Sequence, residues 1–240
     1  MQFLGFKIHK HGVTISDKHL DTIKNYPRPE SKKQLKSFLG VVAFNSRLLK
    51  DAAVTLHPLH RLSSPKTVFN WTSKHEIAFN KIRDDLVNAS GLTHRDENLP
   101  IFLVTDARLC KYGGVLYQKN KDIYEPLAYH SGVFSNAEQK LSSRHRELLA
   151  IVKSVRHFSY DLIGQKFTIY TDHQSLIHLM TAKNRGELNT KLFNAMVYLL
   201  NFDFNVIHKR GNDPIMVVSD AISRLPFTKE DLIKYSEVSD

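Results

Sequence analysis

The 240-residue chain has one cysteine, Cys110, and one tryptophan, Trp71. A single thiol excludes an internal disulfide framework and any Cys-rich zinc module, and it suits a reducing compartment. The apolar runs are far shorter than the roughly 20 residues of a membrane-spanning helix, so no membrane association is expected. A charged n-region, apolar h-region and small-residue cleavage site do not open the chain, so no secretory leader is expected either. Ten glycines and eight prolines are too few for a collagen-like or low-complexity chain. Acidic residues are the scarcer charge, with 24 Asp and Glu against 34 Lys and Arg, for a net charge of +10. What remains is ordinary globular composition, 42% hydrophobic and 24% charged, in a chain long enough to bury a core.

The positive charge is spread along the body. Residues 1–97 hold 16 basic and 9 acidic residues, residues 98–226 hold 16 and 11, and residues 227–240 hold 2 and 4. A body that is basic in both halves points to a polyanionic partner. The acidic end reads as a solvated linker tail.

Helical patterns come first. Phe3–Ile8 and Val13–Ile15 have strand composition, with a turn at Gly12. Ser16 is placed to cap a helix reaching about Asn25, which Pro27 and Pro29 end. Ser31 caps the next, and Leu35, Phe38, Leu39 and Val42 recur at helical spacing on one buried face. Residues 48–62 read as a helical stretch with a loop at Pro58. Thr72 or Ser73 opens a helix burying Ala78, Ile82 and Leu86.

Asn98-Leu99-Pro100 marks a boundary, after which strands dominate. Ile101–Val104 is continuously apolar, as expected of a central strand covered on both faces, and it runs into Asp106. Residues 113–117 and 127–130 follow as antiparallel neighbours. Ser142 or Ser143 starts a helix packing through Leu148, Ile151, Val152, Val155 and Phe158. Phe167–Thr171 follows a helix, so it can lie parallel to the first strand by a crossover, and it ends in Asp172. A helix over 187–200 with core residues Leu192, Ala195, Met196 and Leu199, a strand over 204–208 and a helix over 217–224 complete the pattern. The fold expected is α/β (α+β): a helical N-terminal region followed by a five-stranded mixed sheet flanked by helices.

Four carboxylates stand out. Asp106 and Asp172 end apolar strands that can be neighbours, and open α/β sheets bind ligands at the carboxyl ends of strands. Glu147 lies early in its helix beside the apolar stripe, and Asp220 precedes Ala221-Ile222. Such carboxylates cannot all stay ionised together without a cation. An all-oxygen donor set selects hard cations such as Mg²⁺. An Asp at a strand end serves equally as a turn or cap residue, so spacing alone leaves both readings open.

The words around these residues carry more. Val104-Thr105-Asp106-Ala107, Arg146 to Val152, Tyr170-Thr171-Asp172-His173 and Ser219 to Arg224 occur in that order. Together they resemble the ribonuclease H domain of Gypsy-type (Metaviridae) LTR retrotransposon reverse transcriptases. Upstream, Gln2–Phe6 resembles the end of the polymerase palm. Tyr26-Pro27-Arg28-Pro29 with Leu35–Gly40, His57-Pro58-Leu59 and Phe69–Thr72 resemble the thumb. The resemblance implies a palm end over 1–15, a thumb or connection-like helical region over 16–97, a ribonuclease H domain over 98–226 and a linker tail over 227–240. It implies an endonuclease acting on the RNA strand of an RNA–DNA hybrid, in a Pol polyprotein that also carries nucleotidyltransferase activity. Asp106, Glu147, Asp172 and Asp220 would be catalytic and hold two Mg²⁺ ions, with Mn²⁺ as an alternative. Asp106 would touch both ions and Asp220 would be the peripheral ligand. The implied partners are the hybrid, the polymerase palm and fingers, and a second subunit. The implied location is the cytoplasm, within virus-like particles, with the nucleus as the alternative.

The sequence departs from the family pattern in four places. The palm's paired-Asp motif is absent, so this chain alone is not expected to polymerise. Arg108 follows Asp106-Ala107 where Ser is usual, and Lys111 stands where Gly is usual. The segment from Gly211 to Asp220 is somewhat longer than usual. His208 falls where Tyr is common and where related ribonucleases H place a mobile His. Two other classes of function stay open: a non-catalytic nucleic-acid-binding or structural module, and an integrase-type nuclease. The integrase type runs Asp, Asp, Glu along the chain, against Asp, Glu, Asp, Asp here. Tyr112, Tyr117 and Trp71 could stack on bases or pack in the core, and Cys110 is expected to be inert.

Overall fold

The structure, a computed structural model, describes residues 1–10, 12–89, 91–181, 190–210, 213 and 215–216. It divides into two compact units. Met1–Asp96 and Glu125–His130 make up the first. The described residues of Glu97–Tyr124 and those from Ser131 onward make up the second.

The first unit opens with strands β1 (Gln2–Phe3), β2 (Phe6–His9) and β3 (Gly12–Ile15) in an antiparallel meander. The single strand expected over Phe3–Ile8 is a hairpin instead. Leu4 (φ 47°) and Gly5 (φ 84°) reverse the chain, and positive φ at both central residues gives the twist that two-residue hairpins need. Leucine carries no turn signal, which is why the reversal is hidden in the sequence.

Four helices follow: α1 (Asp17–Lys24), α2 (Lys32–Phe44), α3 (Ala53–Ser63) and α4 (Ser73–Val87). The expected caps largely hold. The Gln34 N–H donates to Ser31 Oγ at 3.3 Å. The Thr72 N–H donates to His75 Nδ1 at 3.0 Å, so an imidazole fills one arm of a capping box that usually uses Glu or Gln. Pro58 does not form the expected loop but lies inside α3, whose helix begins only at Ala53. Packing of Leu59 and Leu62, both essentially fully buried, offsets the one backbone hydrogen bond that Pro58 removes. The core combines Leu35, Phe38, Val42, Leu59, Phe79, Ile82 and Leu86. Its centre is aromatic, with the Phe38 and Phe79 rings 4.6 Å apart and tilted at 54°.

The second unit is organised by strands β4 (Ile101–Ala107), β5 (Lys111–Asn120) and the two ends of β6 (Ile123–Val133), whose middle, Glu125–His130, belongs to the first. They are followed by the helices α5 (Asn136–Gln139), α6 (Ser143–His157) and α7 (Ser159–Leu162). The strand β7 (Lys166–Thr171), helices α8 (Gln174–Thr181) and α9 (Thr190–Leu199) and strand β8 (Asp203–His208) complete the described elements. The sheet order is β6-β5-β4-β7-β8. β4 pairs antiparallel with β5 and parallel with β7, and β7 pairs parallel with β8. This is the five-stranded mixed sheet with flanking helices that the hydrophobic pattern predicts. Short helices α5 and α7 and helix α8 are additions to that reading. The helix expected over 217–224 lies outside the described residues.

Helix α6 packs on β4 and β5 through Leu148, Ile151 and Val155, all fully buried. It can approach so closely because Gly114 has no side chain: a Cβ there would come within 2.5 Å of Ser154 Oγ. Arg146 ties down the start of the helix by donating to the carbonyls of Gln139 and Leu141. Leu192, Ala195, Met196 and Leu199 form a buried stripe on α9, as the spacing predicts. Tyr112 and Tyr117 are buried as well, so they belong to the core and are not base platforms. Among the described residues, no helix is long and apolar enough to cross a membrane.

Candidate active site

Asp106 is the penultimate residue of β4, and Asp172 follows the last residue of β7. These strands are parallel, with Val104 opposite Tyr170 in register. Both carboxylates therefore leave the same edge of the sheet, at the carboxyl ends where open α/β sheets bind ligands. Glu147 reaches this edge from α6. It is only 2% exposed, on a helix that also buries Leu148 and Ala150.

Glu147 is half satisfied. The Ala107 N–H donates to its Oε1 at 3.0 Å, while Oε2 is buried without a hydrogen-bond partner. Burial pushes this carboxyl well above the ordinary carboxylate range. The charges of Asp106 and Asp172 push in the same direction, against the Ala107 hydrogen bond and the Arg108 charge. Asp172 Oδ1 is likewise buried and unpartnered by any hydrogen bond. Leaving such an oxygen unsatisfied costs about 1–3 kcal/mol, and more for a charged group. A bound cation would satisfy carboxylate oxygens of this kind, so the donor set fits a divalent ion.

Ligand atoms of Glu147, Asp172 and His173 all lie within 4.8 Å of one another. The His173 Nδ1 is 3.7 Å from Asp172 Oδ1. The backbone N–H of His173 donates to Thr171 Oγ1 at 3.2 Å, which sets the turn leading into α8. His173 stands in the Tyr170–His173 motif, but nothing in its spacing marks it as a ligand, because the residue after a strand-end Asp is ordinarily loop.

Asp106 is buried at 5% exposure and close enough to raise Glu147, but it is not in that three-residue group. Its Oδ2 faces Arg108 Nε at 3.6 Å, and its strand partner in register is Gly113. Asp220 lies outside the described residues. His208 ends β8 opposite Thr171, and its Nε2 is 3.1 Å from the Asp172 carbonyl oxygen, beside the site without contacting its carboxylates. Cys110 is buried, and burial pushes its thiol up, which disfavours the reactive thiolate.

Residues 71–169 match the RNase H-like domain found in reverse transcriptase. The chain is 31% identical to the Transposon Tf2-3 and Tf2-4 polyproteins of Schizosaccharomyces pombe (strain 972 / ATCC 24843), over 99% of its own length and 18% of theirs. It thus spans under a fifth of these relatives. Among solved structures, it resembles the foamy viral protease-reverse transcriptase in complex with dsDNA. That likeness has a TM-score of 0.75 at 25% identity, covering 89% of this chain and 45% of the other. The same enzyme in complex with RNA/DNA hybrid matches with a TM-score of 0.77 at 24% identity, covering 95% and 30%. Residues 71–169 thus match the RNase H-like domain found in reverse transcriptase, within a chain similar over 99% of its length to transposon polyproteins.

Proposed function

We propose that this chain carries a divalent-cation-dependent ribonuclease H that cleaves the RNA strand of an RNA–DNA hybrid during retrotransposon reverse transcription. The observation that carries the reading is that two buried carboxylate oxygens, Glu147 Oε2 and Asp172 Oδ1, lack a hydrogen-bond partner near the carboxyl ends of β4 and β7. Asp106, Glu147 and Asp172 would hold the cation, Mg²⁺ or alternatively Mn²⁺, with Asp220 as a fourth, peripheral ligand. When bound, a pair of such ions supplies an activated water and stabilises the departing oxygen of a phosphodiester. The protein's own part is positional. The Ala107 N–H holds one oxygen of Glu147 so that the other stays aimed at the site, and the parallel strands β4 and β7 present Asp106 and Asp172 together. The basic body would bind the hybrid's phosphates without reading sequence, and the 2′-OH would mark the strand to cut. The hybrid in the solved relative's complex is consistent with this substrate. A polymerase palm and fingers and a second subunit are proposed as the further partners, and virus-like particles in the cytoplasm as the setting.

A second reading is favoured by one observation. The Arg108 guanidinium already lies 3.6 Å from Asp106, so this chain could bind hybrids without cutting them. The test is incubation of the full chain with end-labelled hybrid in Mg²⁺, in Mn²⁺ and in chelator. Cleavage confined to the RNA strand, requiring the cation and lost in Asp106→Asn, is expected. Salt-sensitive hybrid binding that survives Asp106→Asn, with no cleavage in either cation, would establish the binding module instead.

A further inference from the structure

We infer that His173 is a nitrogen ligand of this site and makes it selective for Mn²⁺ over Mg²⁺. The inference rests on the proposed cation site and goes beyond it, since an all-carboxylate site would be indifferent to this residue.

Three observations converge. One ligand atom each of Glu147, Asp172 and His173 falls within a 4.8 Å group, so a single ion can reach an imidazole nitrogen and two carboxylates together. Glu147 and Asp172 each have a buried oxygen without a hydrogen-bond partner, and Glu147 is only 2% exposed. The His173 ring is only 3.7 Å from Asp172 Oδ1, and its backbone is anchored on Thr171, so the half-buried ring lies next to the carboxylate.

Donor chemistry supplies the selectivity. Mg²⁺ is hard, favours oxygen and keeps its waters, whereas imidazole suits Zn, Cu, Fe and Ni best, and Mn²⁺, the hardest of the first-row divalent ions, still takes it more readily than Mg²⁺ does. Mn²⁺ accepts the same carboxylate oxygens and also a neutral ring nitrogen. A mixed two-oxygen, one-nitrogen set therefore favours Mn²⁺ relative to a site built from carboxylates alone.

The test uses the full 240-residue chain and Mn²⁺ itself as the probe. Mn²⁺ and Mg²⁺ affinities are measured by calorimetry for wild type, His173→Ala, His173→Gln and Asp172→Asn. Pulsed electron paramagnetic resonance on the Mn²⁺-loaded chain then looks for ¹⁴N modulation from a coordinated imidazole. We expect that modulation in wild type and its loss in both His173 variants. We also expect Mn²⁺ to bind at least about tenfold more weakly in those variants, the scale on which even outer partners of a ligand are felt, while Mg²⁺ binding changes far less. Mn²⁺ binding that needs Asp172 but shows no ¹⁴N modulation, or is unchanged in both His173 variants, overturns the inference and leaves the cation site standing. Mn²⁺ binding indifferent to Asp172→Asn overturns the site itself, and the inference with it.

Discussion

The two units bury very different things. Among the described residues of the helical unit, the buried polar side chains are Ser16 and Asn45, around a core of Leu, Ile, Val and Phe. The sheet unit buries Thr105, Asp106, Lys111, Gln118, Glu138, Glu147, Ser154 and Thr171. Some of these are satisfied structurally: Glu138 accepts from the Ser135 N–H at 2.9 Å and lies 3.3 Å from Lys153 Nζ. Glu147 is not. A hydrocarbon core is built for stability, whereas an unsatisfied buried carboxylate opposes folding unless something else binds there. The contrast is between a unit with few buried polar side chains and one that gathers several of them, Asp106 and Glu147 among them, near the carboxyl ends of β4 and β7.

Substitutions can break this contrast. The largest effect is expected in hybrid cleavage: Asp106→Asn or Glu147→Gln should lower the rate by about 10³-fold or more, since a lost cation site forfeits several kcal/mol of transition-state stabilisation. Gel-resolved single-turnover cleavage measures it, and near-wild-type rates would remove these residues from the site. Next is Phe79→Ala, which empties the aromatic centre of the helical unit and should cost about 3–5 kcal/mol in urea unfolding. A loss under about 1 kcal/mol would mean the site collapses around the cavity.

Glu147→Gln should also act on stability, in the opposite sense. The native carboxyl keeps its proton to higher pH than the unfolded chain does, so between the ordinary value of 4.5 and the raised one the native state binds more protons. Wild-type stability therefore falls as pH rises through that window, while Gln cannot titrate. In metal-free buffer, the variant should become progressively more stable than wild type as pH rises, and added Mn²⁺ should reverse the order by stabilising wild type alone. Thermal melts with and without cation test it, and parallel pH curves would show that Glu147 is satisfied after all. The smallest effect is at the helix cap: Ser31→Ala should cost about 1 kcal/mol in the same unfolding assay, with no change in cleavage.

Legibility in the sequence followed how local the physics was. The stripe Leu35, Phe38, Leu39 and Val42, the cap at Ser31 and the apolar strand Ile101–Val104 depend on neighbours within a few residues, and the pattern alone located them. The turn at Leu4-Gly5 and the continuation of α3 through Pro58 did not announce themselves. The first turns on a φ that leucine seldom adopts, and the second on burial that overrides a local penalty. The carboxylate motifs, read as a resemblance, named Asp106, Glu147 and Asp172, whereas His173 sat in a quoted motif without a role.

By itself, then, the sequence determined the element types, the mixed sheet, the basic surface and which carboxylates to watch, because each is written in periodicity, composition or short words. Only the tertiary structure decided that Glu147 has one oxygen held and one orphaned, that Arg108 faces Asp106, and that His173 joins Glu147 and Asp172 within 4.8 Å. The first and last of those facts depend on residues 25 to 40 positions apart meeting at the carboxyl ends of the strands. No local rule specifies such a meeting, because it is set by how α6 packs on β4 and β5 and how β4 aligns with β7.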